Sequence, residues 1–168
     1  DLESGGINVL YSSPAYSINK LSNGMTDMEF QDLINDSGKP FFNRALQGRY
    51  PPASTIKPAI GMYGLSNNIV DWDFEMKDPG FFTLPETGRV FRGWLKGGHG
   101  KVDMHKAFLV SSNTYFFSLA YQADILELST HLSSLGFGQK VCLDCFDEDQ
   151  AFVPTPEWKY SMMNAGWV

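Results

Sequence analysis

The 168-residue chain is short of basic charge, cysteine and long apolar runs, and each shortage removes a class of function. Thirteen Lys and Arg stand against nineteen Asp and Glu, a formal net charge of −6 with the three His neutral. An acidic chain without a basic run offers no electrostatic footprint for nucleic acid, so no nucleic-acid partner is expected. No apolar stretch approaches the roughly 20 residues that span a bilayer; the longest candidates, Ala107 to Val110 and Thr114 to Ala120, are short or interrupted. The opening Asp1-Leu2-Glu3 has no Met, no basic start and no apolar run of a secretion signal, which reads as a chain cut from something longer. Only Cys142 and Cys145 supply sulfur. A four-sulfur zinc site needs a second pair and a thioredoxin-like motif needs a βαβ setting, so two buried or half-buried free thiols are expected.

What is present is material for a core, with 43% hydrophobic and 14% aromatic residues. One domain over residues 1–168 is expected at this length. Residues 5 to 12 read as a turn and a short strand, and Pro14, Asn19, Asn23 and Gly24 break the chain into loop. Thr26, Asp27 and Glu29 ahead of Phe30, Leu33 and Ile34 predict a capped helix over 26–35. A second helix is expected from about Ser54 to Leu65, stopped by Ser66-Asn67-Asn68, with Pro58 in its first turn. Residues 71 to 101, rich in Gly and Pro and pinned by Trp72 and Trp94, read as an ordered excursion with little regular structure. Asp103 caps a helix from Met104 to about Val110, and an apolar helix resumes through Tyr115, Phe116, Leu119 and Ala120. Asp124 and Glu127 form a capping box before the stripe Ile125, Leu128, Leu132 and Leu135, which Gly136 ends. The remainder, with Pro154, Pro156 and Trp158 and ending Gly166-Trp167-Val168, reads as loop.

The chemistry-bearing segment is Tyr50-Pro51-Pro52-Ala53-Ser54-Thr55-Ile56-Lys57-Pro58. A Ser and a Lys three apart at a helix start share a face, one turn apart. A serine hydroxyl is a poor nucleophile until a base takes its proton, and a lysine serves only if burial or a nearby cation lowers its pKa. Alone, the pattern reads as an N-cap Ser followed by a surface Lys. Ser111-Ser112-Asn113, in a break between two apolar helical stretches, adds an S-x-N element. S-x-x-K and S-x-N are two of the three signatures of penicillin-binding proteins and serine β-lactamases.

The run from Phe42 to Pro58 resembles the active-site stretch of class B penicillin-binding proteins, closest to the elongation-type penicillin-binding protein 2 group. Val9 to Tyr16, Asp78-Pro79-Gly80, Arg92-Gly93-Trp94, Gly98-His99-Gly100 and Pro154 to Lys159 resemble the same group in the same order. The resemblance implies an α+β fold, the helical part of the transpeptidase domain with most of its central antiparallel sheet missing. It implies a serine D,D-transpeptidase that cross-links peptidoglycan stem peptides and is acylated by β-lactams. Ser54 would be the nucleophile and Lys57 the base; Ser111 would relay a proton to or from the leaving amine, and Asn113 would hydrogen-bond the acyl donor's backbone. The Ser54 amide would supply one oxyanion donor. It further implies a periplasmic protein anchored in the bacterial inner membrane and paired with a cell-wall polymerase of the elongation machinery.

Two departures accompany the match. No K-[ST]-G follows Asn113, where only Lys140 and Lys159 occur, so the chain reads as truncated before the third signature and inactive by itself. Some relatives hold a structural zinc through an Asp of D-P-G, an Asp before the Trp, the His of G-H-G and a Cys in the second signature. Here Asp78 and His99 match, but Gly93 and Ser112 take the other two places, so neither zinc nor any other cofactor is expected. His105 and His131 are expected on helix surfaces or interfaces. Phe81, Phe82, Trp94, Phe116, Phe117 and Tyr121 are expected to pack a core, some of them left exposed. A non-enzymatic β-lactam sensor or a degenerate cell-wall scaffold remains open beside the enzyme. A β-lactamase is disfavoured because no deacylating Glu can be placed by motif.

Overall fold

Side-chain caps set where most of the helices among the described residues begin. The computed structural model describes residues 1–142 and 144–165, and Gly166-Trp167-Val168 lies outside them. The described residues divide into two units, residues 1–50 with 140–151, and residues 51–139 with 152 onward.

The smaller unit holds two helices, α1 (Ile18–Asn23) and α2 (Asp27–Asn35). Helix α2 has the full capping box expected of it: Thr26 Oγ1 accepts from the Glu29 amide, and the Glu29 carboxylate accepts from the Thr26 amide. Helix α1 corrects the reading of that stretch as loop, because Ser17 caps it and its breakers fall at the ends. The strand expected over residues 5–12 does not form. A strand exists through hydrogen bonds to a neighbour, none pairs with it among the described residues, and Ile7, Val9 and Leu10 are exposed. The Arg44 guanidinium gathers the carbonyls of Gly38, Lys39 and Phe42, and Arg49 makes a two-pronged ion pair with Asp149. Cys142 and Cys145 form a disulfide, with Cα atoms 5.3 Å apart, which corrects the expectation of free thiols.

The larger unit begins with a 3-10 turn, Ala53–Ile56, followed by α3 (Lys57–Ser66). An α-helix starting at Ser54 would need the residue 58 amide to donate to the Ser54 carbonyl. Proline has no such N–H; the Lys57 amide donates instead, and the turn tightens. Strands β1 (Met76–Asp78) and β4 (Gly100–Val102) pair antiparallel, as do β2 (Phe81–Thr83) and β3 (Val90–Arg92). The excursion over 71–101 thus carries two short ladders of its own.

Helices α4 (Met104–Leu109), α5 (Asn113–Gln122), α6 (Ile125–Ser134) and α7 (Pro156–Asn164) follow. Asp103, Ser112, Asp124 and Thr155 cap them in turn. Helix α7 corrects the reading of that stretch as loop, since Pro156 stands at the first helical position, where its missing N–H costs nothing. On α6, Glu127 does not close the expected capping box but accepts from the Tyr63 hydroxyl at 3.2 Å. Leu132 is buried, Ile125 and Leu128 half-buried, and Leu135 exposed. His131 lies at the α3 interface, 3.1 Å from the Ala59 carbonyl, while His105 faces solvent.

Val70, Val102, Met104, Ala107, Tyr115, Phe116 and Leu119 form the core of this unit. Of the six aromatics named from sequence, Phe116 joins that core, Phe82 and Phe117 are half-buried, and Phe81, Trp94 and Tyr121 are exposed. Helix α3 presents Gly61 and Gly64 to Phe108 and Leu119, where a Cβ would come within 2.6 Å of either ring or methyl. That close approach of backbone brings the start of α3 to the break between α4 and α5.

Candidate active site

Three elements converge on one small polar cluster: the 3-10 turn, the first residue of α3 and the α4–α5 break. Ser54 is exposed in the turn, whereas Lys57 is 7% exposed. The Lys57 ammonium nitrogen donates to the Ser111 carbonyl at 2.8 Å, to Ser111 Oγ at 3.0 Å and to Asn113 Oδ1 at 2.7 Å. It also sits 5.4 Å from the centre of the Phe116 ring. Ser111 Oγ in turn donates to Ser54 Oγ at 3.0 Å. All four residues named from sequence therefore meet. No direct hydrogen bond joins Lys57 to Ser54; the connection runs through Ser111.

The electrostatics follow from burial. Taking the Lys57 amine out of water disfavours its charged form and lowers its pKa below the ordinary lysine value. The backbone at Ser111 is in the left-handed region, φ 52°, and that at Ala53 beside Ser54 has φ 50°. Neither residue is glycine, so both conformations are held by their surroundings at a cost of order 1–3 kcal/mol each. At the break, the Ser112 amide donates to the Ala107 carbonyl at 2.9 Å, and Trp94 Nε1 donates to the Val110 carbonyl at 3.1 Å.

Behind this cluster lies Asp78, 2% exposed. Its carboxylate accepts from the Gly80 amide (2.7 Å), the Ser112 hydroxyl (2.7 Å) and His99 Nδ1 (2.9 Å). Burial pushes its pKa up, but the hydrogen bonds from His99, Ser112 and Gly80 outweigh it and hold the carboxyl at about 2. Gly93 contributes no side chain, and the Ser112 hydroxyl is neutral and already donating. Among the described residues the buried side-chain atoms left without a hydrogen-bond partner are His99 Nε2, Thr114 Oγ1 and Tyr115 Oη, and of these only the imidazole is a ligand that zinc favours. That set does not fit the four-ligand zinc site of some relatives, and no group of three or more metal-binding side chains occurs among the described residues.

The sequence named Asp78 and His99 only as remnants of a metal site and did not place Ser112 against Asp78. The signal for Ser112 was its position just ahead of a helix, as an N-cap; nothing local paired it with a residue 34 positions away. Phe116 beneath the amine was legible only as an apolar helix residue.

Residues 1–167 match the model of the penicillin binding protein transpeptidase domain. The chain belongs to that family. The peptidoglycan D,D-transpeptidase MrdA of Acinetobacter baumannii is 42% identical over 168 residues, all of this chain and 25% of that protein. The Pseudomonas aeruginosa PBP2 structure, a complex with WCK 5153, has 37% identity and a TM-score of 0.77 over 83% of this chain and 31% of that one. A complex of Helicobacter pylori PBP2 with MreC contains a chain that is 31% identical, with a TM-score of 0.83 over 92% of this chain and 28% of that one. The α+β fold expected from the resemblance, the helical part of the transpeptidase domain with most of its sheet missing, is the fold observed, with few and short strands among the described residues. The chain spans about a quarter of the length of the curated relative it matches.

Proposed function

We propose that this chain carries the serine–lysine centre of a peptidoglycan D,D-transpeptidase, with Ser54 as nucleophile. One observation carries the reading: an unbroken run of hydrogen bonds from a buried amine, through one hydroxyl, to a second hydroxyl that is exposed. Burial favours the neutral amine, which accepts a proton from Ser111 as Ser111 accepts one from Ser54. Hydroxyl hydrogens rotate freely enough to reverse the direction of both bonds. Ser54 Oγ then attacks the scissile carbonyl of a D,D-peptide bond or of a β-lactam, and a Ser54 ester results. Ser111 returns the proton to the leaving amine. Asn113 holds the Lys57 amine through Oδ1 and leaves its amide N–H groups for the acyl donor's backbone. The Ser54 amide is one of the two oxyanion donors this chemistry needs.

The family's third signature, K-[ST]-G, contributes the other donor and the carboxylate-binding groups, and residues 114–168 hold no such motif. The cross-linking activity is therefore assigned to the protein carrying this segment, and the segment alone is expected not to turn over. A single partial transpeptidase domain over both units is supported by one family model running across them. Partnership with cell-wall proteins is supported by the PBP2–MreC complex, and a polymerase among them by the similarity to a chain of a peptidoglycan synthase complex that coordinates polymerization and crosslinking. A periplasmic site of action under an inner-membrane anchor accords with a peptidoglycan substrate; no helix of the described residues is long and apolar enough to cross a membrane.

Fluorescent penicillin followed by intact-mass and peptide mapping tests the reading. One adduct on Ser54, lost in Ser54→Ala, is expected. Labelling that survives Ser54→Ala removes the assigned nucleophile. An adduct without turnover of D,D-peptides by the whole protein points to a sensor, rapid release of hydrolysed drug points to a β-lactamase, and no adduct points to a scaffold.

A further inference from the structure

The turn that carries Ser111 and Asn113 has to be held against its own backbone preference, because residue 111 is a non-glycine with φ 52°. What holds it is a buried polar strut. Ser112, 0% exposed, has its amide tied to the Ala107 carbonyl. Its hydroxyl accepts from the Tyr115 amide at 3.2 Å, as the cap of α5, and donates to the Asp78 carboxylate at 2.7 Å. Asp78 is itself fixed at the end of β1 by the Gly80 amide and by His99. A cap alone needs only the Tyr115 contact, so the bond to Asp78 does something more: it ties the turn to the β1–β4 ladder.

We propose that Asp78, acting through the Ser112 hydroxyl, is a positioning residue that sets where Ser111 and Asn113 meet Lys57, in place of a metal cross-link. The inference rests on the acyl-transfer reading above. In this chain the carboxylate and hydroxyl are mutually satisfied, and Gly93 has no side chain that could act as a further ligand. The cross-link is made of hydrogen bonds, and its working part is the strong charge-assisted one from Ser112.

The test uses the full-length protein carrying this segment and separates the β-lactam binding constant from the first-order acylation rate. Ser112→Ala and Asp78→Asn should lower the acylation rate by about 10- to 100-fold, the size expected when a reacting group is displaced, with binding little changed. Ser112→Thr, which keeps the hydroxyl, should recover most of the rate. Asp124→Ala removes the cap of α6 in the same unit and serves as control, losing comparable thermal stability without slowing acylation. If Ser112→Ala slows acylation no more than Asp124→Ala, Ser112 is structural only and the proposal fails. Stoichiometric zinc in the purified protein also overturns it. If the wild-type protein takes no label, the acyl-transfer reading fails on its own. The strut is then judged by hydrogen exchange of residues 110–116: faster exchange in Ser112→Ala than in Asp124→Ala supports it, and equal exchange overturns it.

Discussion

The two units of this chain are built by different means. The larger unit contains the whole buried apolar core; the smaller buries Pro40 and no other residue among those described. The smaller unit is tied instead by polar devices: a capping box, an arginine reaching three carbonyls, an ion pair and a disulfide. The hydrogen bonds and the ion pair are each worth little because they replace bonds to water, and the disulfide closes only a three-residue span, whereas buried apolar surface is gained outright. Every residue of the candidate site sits on the core-built unit. A nucleophile held to a fraction of an ångström needs a packed support, and loops tied by exposed polar bonds do not supply one.

Four measurements sharpen or break that comparison. The largest effect is expected from Leu119→Ala, which opens a cavity in a side chain 1% exposed and facing Gly64. Chemical denaturation should register a loss of about 2–5 kcal/mol. Next is acid. Asp78 binds its proton less readily folded than unfolded, so its contribution is complete above the unfolded pKa near 4 and is lost as pH falls towards about 2. Denaturation curves across that window should show a fall of about 2 kcal/mol in the wild type that Asp78→Asn lacks. Thr26→Ala, which deletes the capping box of α2, should cost about 1 kcal/mol. Met28→Ala, at a side chain 74% exposed in the same helix, should stay within about 0.5 kcal/mol. If Thr26→Ala cost as much as Leu119→Ala, the division between the units would collapse.

Lys57 gives a prediction of the same slope as Asp78, but in the alkaline range. Its folded pKa is lowered, so between that value and the unfolded one the unfolded chain binds more protons and stability rises with pH. The acylation rate should rise over the lower part of the same range as the amine becomes neutral. It should level off below the ordinary lysine pKa of about 10.4. A rate still climbing at that value would deny Lys57 the role of base.

Helix starts were the most legible features, because a cap is local: Thr26 with Glu29, Asp103 and Asp124 each mark theirs within three residues. The cap at Thr155 was equally local, but Pro154 and Pro156 were weighed as breakers and hid it. The residues of the site were legible through two motifs, while its wiring was not. Sequence spacing put Ser54 and Lys57 on one α-helical face; the absent amide of Pro58 puts Ser54 in a tighter turn and hands the contact to Ser111. The strand over 5–12 failed for the converse reason, since alternating β-formers specify a strand only where a neighbour exists to complete it.

The torsion at Ser111 narrows what inheritance can do there. Glycine would relax the backbone and delete the oxygen that links the Ser54 hydroxyl to the Lys57 amine; threonine would keep the oxygen and add a branch that the left-handed region disfavours. Alanine would lose the oxygen and keep the strain. Serine alone among these combines the smallest hydroxyl-bearing side chain with a tolerable twist, so drift at this position is confined by geometry and chemistry pulling in different directions.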